Sequence, residues 1–217
     1  EYRITVAGGK MTVEAPEAQW EQLRRRISHF YGEGARVLPD AVITDWPSLP
    51  YRGLMIDIAR NYQKPEEMRR VLDLMAVYGL NTLHFHCVDD EAWRVQIDAL
   101  PELVEVGSRR GYIPDGATVD YLPQIYSGDG NPETLSGTAN GYFTRADYID
   151  MIRYADSLGI TVIPEIEAPG HARASIQAMA VRARRTGDDS WLLRAADDDT
   201  SFESAQNFHD NVMNPTL

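Results

Sequence analysis

The stretch from Asn81 to Arg94 reads NTLHFHCVDDEAWR and decides the fold of this chain. Leu83 and Phe85 alternate with polar residues in the pattern of a β-strand. A strand inside a sheet keeps its charged residues at its ends, where a pocket can hydrate them. Asp89 and Asp90 therefore indicate a functional site at the carboxyl end of this strand. A solvated turn that closes the strand is the alternative that the pair alone leaves open.

Two further strand candidates also end in polar residues. Residues 161–174 read TVIPEIEAPGHARA, in which an apolar run ends at Glu165 and Glu167 and is followed by His171. Residues 53–60 read GLMIDIAR and end in an arginine. Three strands that finish in charged groups favour one site assembled from three chain segments over a plain turn after the first strand.

Helix signals separate these strands. Pro65 suits a first helical turn, apolar residues recur at helical spacing after it, and Gly79 ends the segment. Thr144 and Asp147 form a predicted capping box, and Gly159 closes the helix that follows. The order of strand, helix, strand, helix, strand predicts a parallel sheet with sites at the carboxyl ends of its strands. A (β/α)8 barrel and a doubly wound sheet both have that geometry.

The connection over residues 107–142 is longer than an ordinary link between a strand and a helix. It is rich in Gly, Pro, Asp, Asn, Ser and Thr, with Tyr112, Tyr121 and Tyr126 interspersed. One interpretation is a substrate-binding loop whose tyrosines stack on sugar faces. The other is a variable insertion without a role, and both stay open.

The first thirty residues predict a β-hairpin and a helix. YRITVAGGKMTVEA at residues 2–15 alternates apolar and polar residues on both sides of Gly8-Gly9, which suits a tight turn. A helix is predicted to follow around residues 19–30. Much further along the chain, Gly187 is predicted to end another helix.

Three strings together resemble the start of the catalytic barrel of glycoside hydrolase family 20, the β-N-acetylhexosaminidases. They are DWPSLPYRGLMIDIARNY at 45–62, NTLHFHCVDDEAWR at 81–94 and GITVIPEIEAPGHARA at 159–174. The resemblance implies an α/β fold, a partial (β/α)8 TIM barrel of about three βα units in residues 45–217. It also implies that residues 1–44 are the end of a small α/β domain plus a linker, and that the chain is truncated before the fourth strand.

The resemblance also implies roles for individual residues. Arg60 matches the family arginine that binds hydroxyls of the terminal sugar, which suits a guanidinium fork. Asp89 and His171 match the aspartate and histidine that sit beside the general acid and tune its proton. Glu167 stands where the family usually has aspartate and is expected to bind substrate. Asp57 lies where the family also places an aspartate, with an expected structural role.

The family reaction is retaining hydrolysis assisted by the substrate. The 2-acetamido carbonyl of the sugar attacks its own anomeric carbon, an aspartate stabilises the oxazolinium, and the adjacent glutamate protonates the leaving oxygen. The family carries this pair in a His-x-Gly-Gly-Asp-Glu motif, which the sequence does not contain. The resemblance therefore implies a chain that is inactive by itself and, with sheet edges and apolar helix faces uncovered, prone to self-association.

Two other functions stay open on the sequence. One is a non-catalytic sugar-binding module that keeps Arg60 without the acid pair. The other is a different (β/α)8 hydrolase that uses Asp89 or Glu165 together with Glu167. Residues two apart on a strand share one face at about 6–7 Å, which resembles the separation of glycosidase carboxylates.

Composition narrows the classes of partner. The chain has 217 residues, with 43% apolar and 25% charged content, and is therefore globular. Its net charge of −12 disfavours nucleic acids and anionic membranes and is compatible with glycans that contain N-acetylhexosamine. The single cysteine, Cys87, excludes an internal disulfide. The family resemblance, in turn, implies a periplasmic or secreted location.

The alternating histidines raise the question of a metal site. His84 and His86, together with Asp89, offer three possible metal ligands within six residues. The sequence shows no further ligand at matching spacing, and histidines that line a pocket and are hydrogen-bonded are the commoner case. We therefore expect neither a metal nor a cofactor.

Overall fold

The structure is a computed structural model of the 217-residue chain. It describes residues 1–31, 39–109, 140–195, 197–198 and 208–214. Most of the long connection, residues 110–139 with its three tyrosines, lies outside the described residues. Two compact units make up the chain. The first comprises residues 1–54, 68–84 and 151–163, and the second comprises residues 55–67, 85–150 and 164–217.

The first unit contains a three-stranded antiparallel sheet. Its strands are β1 (Tyr2–Ala7), β2 (Lys10–Glu14) and β3 (Ala41–Asp45), in the order β2-β1-β3. Ile4 and Val6 of β1 pack against Leu23 of helix α1 (Trp20–Tyr31).

This small sheet confirms the predicted hairpin and helix. The turn at Gly8 and Gly9 has positive φ at both residues, which suits glycine. Strand β3 was not predicted, because its residues were assigned to a linker. Val42 and Ile43 are both exposed there, so β3 lacks the alternating burial that would mark a strand. The predicted domain boundary between residues 44 and 45 stays a prediction.

A second sheet confirms the predicted parallel βα units. Its strands are β4 (Gly53–Asp57), β5 (Thr82–His86) and β6 (Thr161–Glu165), in the order β4-β5-β6. Backbone hydrogen bonds join the starts of neighbouring strands to each other, and likewise their ends, so the three strands are parallel. Central strand β5 is the most buried, with Leu83 and Phe85 fully inaccessible.

The helices between these strands begin and end close to the predicted residues. Helix α2 spans Pro65–Val77, α3 spans Glu102–Glu105, α4 spans Arg145–Ser157 and α5 spans Arg173–Thr186. The predicted capping box at the start of α4 is present: Thr144 N donates to Asp147 Oδ2 at 3.0 Å, and Asp147 N donates to Thr144 Oγ1 at 3.1 Å. Gly187 ends α5 in the left-handed conformation, as predicted.

A buried arginine organises the second unit. The Arg94 side chain is fully inaccessible and donates to four main-chain carbonyl oxygens: Ile58 at 3.0 Å, Ala59 at 2.9 Å, Ser108 at 2.8 Å and Gly141 at 2.9 Å. These carbonyls belong to three separate segments of the chain. The side chain therefore joins the residues that follow β4 to two loops, and it holds the backbone directly before residue 60. Within the described residues, no helix is both long and apolar enough to span a membrane.

Candidate active site

The polar residues predicted at the three strand ends come together in the second unit. Parallel strands that are neighbours in a sheet present their carboxyl ends at one edge, so side chains that follow them meet there. The cluster contains the predicted Arg60, Asp89, Glu167 and His171. It also contains Asp90, which was predicted to mark the site, and Glu165 and His86, which were weighed as an alternative acid and as a metal ligand. Glu91, which was not predicted, completes it.

Arg60 lies at the centre of three carboxylates. Its Nη1 donates to Asp57 Oδ2 at 2.8 Å, its Nη2 lies 2.7 Å from Asp89 Oδ2, and its Nε donates to Glu91 Oε2 at 2.9 Å. Its backbone N–H also donates to Asp57 Oδ1 at 3.0 Å. Asp57 therefore fixes both the main chain and the side chain of Arg60, in keeping with the structural role expected of it.

Asp89 is almost completely enclosed, with 1% of its side chain exposed. Its Oδ2 is 2.9 Å from His86 Nε2 and faces Arg60. Its Oδ1 accepts the Asp90 backbone N–H at 2.7 Å and lies 3.2 Å from His171 Nδ1. Each carboxylate oxygen thus faces a histidine.

His171 reaches the cluster from a strained turn. It is a non-glycine residue with φ of +50°, a conformation that an L-residue adopts only when its surroundings impose it. Its side chain is 39% exposed, and Nδ1 lies 3.2 Å from Asp89 Oδ1 and 3.3 Å from Asp90 Oδ2. One edge of the imidazole therefore faces the buried acids, while the remainder of the ring is accessible to a ligand.

Asp90 holds the turn that carries His171. Its Oδ1 accepts the Arg173 backbone N–H at 3.2 Å, and its Oδ2 accepts Asn211 Nδ2 at 2.9 Å. The carbonyl of Asn211 in turn accepts the Ala172 N–H at 3.0 Å. Burial raises the pKa of Asp90 despite these donors. Asp90 therefore has a structural role in this turn, which differs from the role of Asp89.

His86 connects Asp89 to the acids that end strand β6. Its Nδ1 lies 3.2 Å from Glu165 Oε2, on the opposite side of the ring from Asp89. The hydrogen bond with Asp89 raises the pKa of His86 above its ordinary value, against the effect of burial. The pKa of Glu167 is also raised, first by burial and then by a hydrogen bond with the side chain of Glu165.

The contact between Glu165 and Glu167 bears on their use as an acid pair. Two carboxyl groups that share a hydrogen bond are closer together than the roughly 5 Å or more that separates the two acids of a glycosidase. The geometry therefore argues against a hydrolase that uses these two residues as its catalytic pair.

Among the residues that the structure describes, two groups of side chains have the spacing of metal ligands. Ligand atoms of His86, Asp89 and Glu167 lie within 4.8 Å of one another, as do those of Asp89, Asp90 and His171. His84 belongs to neither group. Asp89 is common to both, and the Arg60 guanidinium 2.7 Å from its Oδ2 repels a divalent cation. The expectation of no metal stays a prediction.

The partners of Asp90 and Glu91 lie on other segments of the chain, so the local pattern gave no signal for the roles of these two residues. His86 was weighed only as a metal ligand or a pocket-lining histidine. Its position three residues before Asp89 was the available signal, because the turn after β5 brings the two side chains together.

Comparison with known proteins links this site to a family. The profile of "Glycosyl hydrolase family 20, catalytic domain" matches residues 49–216. A beta-hexosaminidase of Vibrio vulnificus is 37% identical over 191 residues, which cover 85% of this chain and 22% of the relative. An N,N'-diacetylchitobiase of Vibrio harveyi is 42% identical over 153 residues, which cover 70% and 17%. The chain thus spans about a fifth of the length of these relatives.

Comparison with a solved structure supports the same family through the fold. The GH20 exo-beta-N-acetylglucosaminidase of Vibrio harveyi in complex with N-acetylglucosamine superposes with a TM-score of 0.76 at 32% identity. The match covers 100% of this chain and 31% of that one. The three parallel βα units therefore correspond to part of a family 20 barrel, and the antiparallel sheet at the amino-terminal end is included in the match.

Proposed function

This chain belongs to glycosyl hydrolase family 20, and on that premise we propose that the protein releases terminal N-acetylhexosamine from glycans. The proposal includes the retaining route in which the substrate's own 2-acetamido group is the nucleophile. The observation that carries it is the joint placement of Arg60 and the Asp89–His171 pair at one sheet edge. One group binds the sugar, and the other tunes the acid that releases it.

Arg60 has the donors that a sugar needs. A guanidinium carries five N–H groups. Hydrogen bonds to Asp57 and Glu91 use one hydrogen on Nη1 and the hydrogen on Nε, and Nη2 is ion-paired with Asp89 at 2.7 Å, so Nη1 and Nη2 each keep at least one further hydrogen. Two adjacent donors on a rigid plane fit two neighbouring hydroxyl oxygens of a pyranose ring. The side chain is 22% exposed, so these donors are not sealed inside the protein.

Asp89 and His171 have the arrangement of a proton-tuning pair. Asp89 is buried and faces His171 Nδ1, which leaves the other ring nitrogen for a carboxyl group of the substrate site. The aspartate and glutamate that would complete the chemistry have no counterpart motif in the sequence, which contains no Gly-Gly-Asp-Glu string. We therefore propose that these 217 residues bind the sugar and support the acid but do not turn over substrate by themselves.

The test is release of nitrophenol from 4-nitrophenyl N-acetyl-β-D-glucosaminide by two preparations. One is this chain, and the other is the same chain joined to the remaining strands of a family 20 barrel, near the usual barrel length of about 250 residues. We expect turnover only by the second, which is called the active preparation below. Turnover by this chain alone would assign the catalysis to its own acids. No turnover by either, with N-acetylglucosamine still bound, would favour a non-catalytic sugar-binding module.

We also propose that this chain self-associates. Five large apolar side chains in residues 42–51 are 37–65% exposed. Exposed apolar surface of this density is typical of a surface that another protein covers. In sedimentation velocity, we expect the weight-average mass to rise with protein concentration above that of a 24.4 kDa monomer. A constant monomer mass across a hundredfold concentration range contradicts the proposal.

A further inference from the structure

Glu91 is a buried acid that the proposed mechanism does not use. It follows Asp90 directly, and only 10% of its side chain is exposed. Its Oε2 accepts a hydrogen bond from Arg60 Nε at 2.9 Å. A carboxylate removed from water costs free energy unless its partner makes up the loss. The contact with Arg60 therefore indicates the role of Glu91.

We infer that Glu91 is a positioning residue that fixes the plane of the Arg60 guanidinium for binding the hydroxyls of the substrate sugar. The inference rests on the function proposed above. It gives Glu91 no contact with the sugar. Its action on the sugar passes entirely through Arg60.

The geometry around Arg60 shows why a third carboxylate matters. Asp57 holds Nη1 and Asp89 holds Nη2. Two anchors at the outer nitrogens leave the plane free to tilt about the line that joins them. An anchor at Nε removes that tilt. The two remaining N–H groups then point in one fixed direction, so binding a diol loses less conformational entropy than it would with a mobile guanidinium.

Stability arguments separate this role from a structural one. Burial raises the pKa of Glu91 above its ordinary value, although Arg60 lowers it. For an acid, a raised folded-state pKa means that the folded protein binds the proton more tightly than the unfolded chain does. The ionised side chain then lowers stability as pH rises through that window. At pH 7, Glu91→Gln should therefore be as stable as the parent protein or more stable.

The neutral variant does not leave Arg60 without partners. Asp57 and Asp89 still contact Nη1 and Nη2 after the Glu91 charge is removed. The amide oxygen of glutamine can also accept the Nε hydrogen, whereas alanine at position 91 cannot. Glu91→Gln and Glu91→Ala therefore differ in whether the third anchor survives, and that difference tests the inference.

The experiment uses the active preparation and 4-nitrophenyl N-acetyl-β-D-glucosaminide. We expect Glu91→Ala to raise KM about tenfold with kcat within about twofold, because an anchor for ground-state binding is lost. Glu91→Gln should recover most of the affinity. In the Arg60→Ala background, Glu91→Ala should add no further rise in KM. Glu105→Gln removes a half-exposed acid paired with Arg185 and should leave both constants unchanged.

Each outcome that contradicts the expected results has a single interpretation. An unchanged KM in Glu91→Ala, with the parent protein active, overturns the inference and leaves the proposed function intact. A further rise in KM in the Arg60→Ala background shows that Glu91 acts on substrate independently of Arg60, which also overturns it. A melting temperature of Glu91→Gln clearly below that of the parent assigns a structural role. If no preparation turns over substrate, the proposed function fails, and this inference fails with it.

Discussion

Replacement of Arg94 with methionine is expected to lower the free energy of unfolding by about 4 kcal/mol, one of the largest effects of a single substitution in this chain. The methionine side chain fills a similar volume but donates no hydrogen bond. Four main-chain carbonyls, those of Ile58, Ala59, Ser108 and Gly141, would each lose a buried donor. Urea unfolding followed by tryptophan fluorescence measures the change.

Two further variants define the cause. Arg94→Lys keeps the positive charge, but three ammonium hydrogens cannot reach four carbonyls on three segments, so a loss of about 2–3 kcal/mol is expected. Arg24→Met removes an arginine whose side chain is 62% exposed, and it should change stability by less than about 0.5 kcal/mol. A loss of under about 1 kcal/mol in Arg94→Met would mean that the carbonyls find water or other donors.

Arg94 also shows what the sequence could and could not reveal. The string that contains it predicted strand β5 and the acids that follow, because alternation and terminal charge are local properties of a strand in a parallel sheet. The partners of Arg94 are backbone carbonyls, which have no residue identity and leave no mark in a sequence. A fully buried arginine whose side chain donates to four main-chain carbonyls is therefore predictable only from the folded chain.

The residues of the candidate site also divide into those that the sequence predicted and those that only the folded structure reveals. Arg60, Asp89 and His171 were predicted from their places at strand ends and from the family resemblance, and the structure brings them together. The contact of Glu91 with Arg60 depends on the path of the chain after β5, which no residue pattern encodes. Strand β3 was not predicted for a related reason. It is a strand because it pairs with β1, and its own composition does not indicate one.

The charge arrangement predicts that Asp89 is the residue of the site most sensitive to substitution. It is the one acid that contacts Arg60, His86 and His171 together. A change at Asp89 therefore disturbs sugar binding and proton tuning at once, whereas a change at Asp57 or Glu91 acts through Arg60. We expect the effects at these positions to be strongly non-additive, because the groups share one network.

In the active preparation, Asp89→Asn is expected to reduce kcat/KM about ten-thousandfold, the size of effect seen when the acid that orients a catalytic histidine is neutralised. Asparagine is nearly the same shape as aspartate. Its NH2 group, however, replaces one of the two carboxylate oxygens that face Arg60 and the histidines in the parent protein. Asp98→Asn, an exposed acid 3.7 Å from Arg145, is the matched control and should retain full activity.

Folding and catalysis must be separated for this variant, because Asp89 is buried and paired with a cation. Removing one partner of a buried charge pair costs about 3–5 kcal/mol. His171→Gln avoids this difficulty, since its ring is 39% exposed and shares the same acid. We expect it to fold normally and to lose about a hundredfold in kcat with little change in KM. Full activity in both variants would show that the Asp89–His171 pair does not tune the proton, and the mechanism would then rest on Arg60 alone.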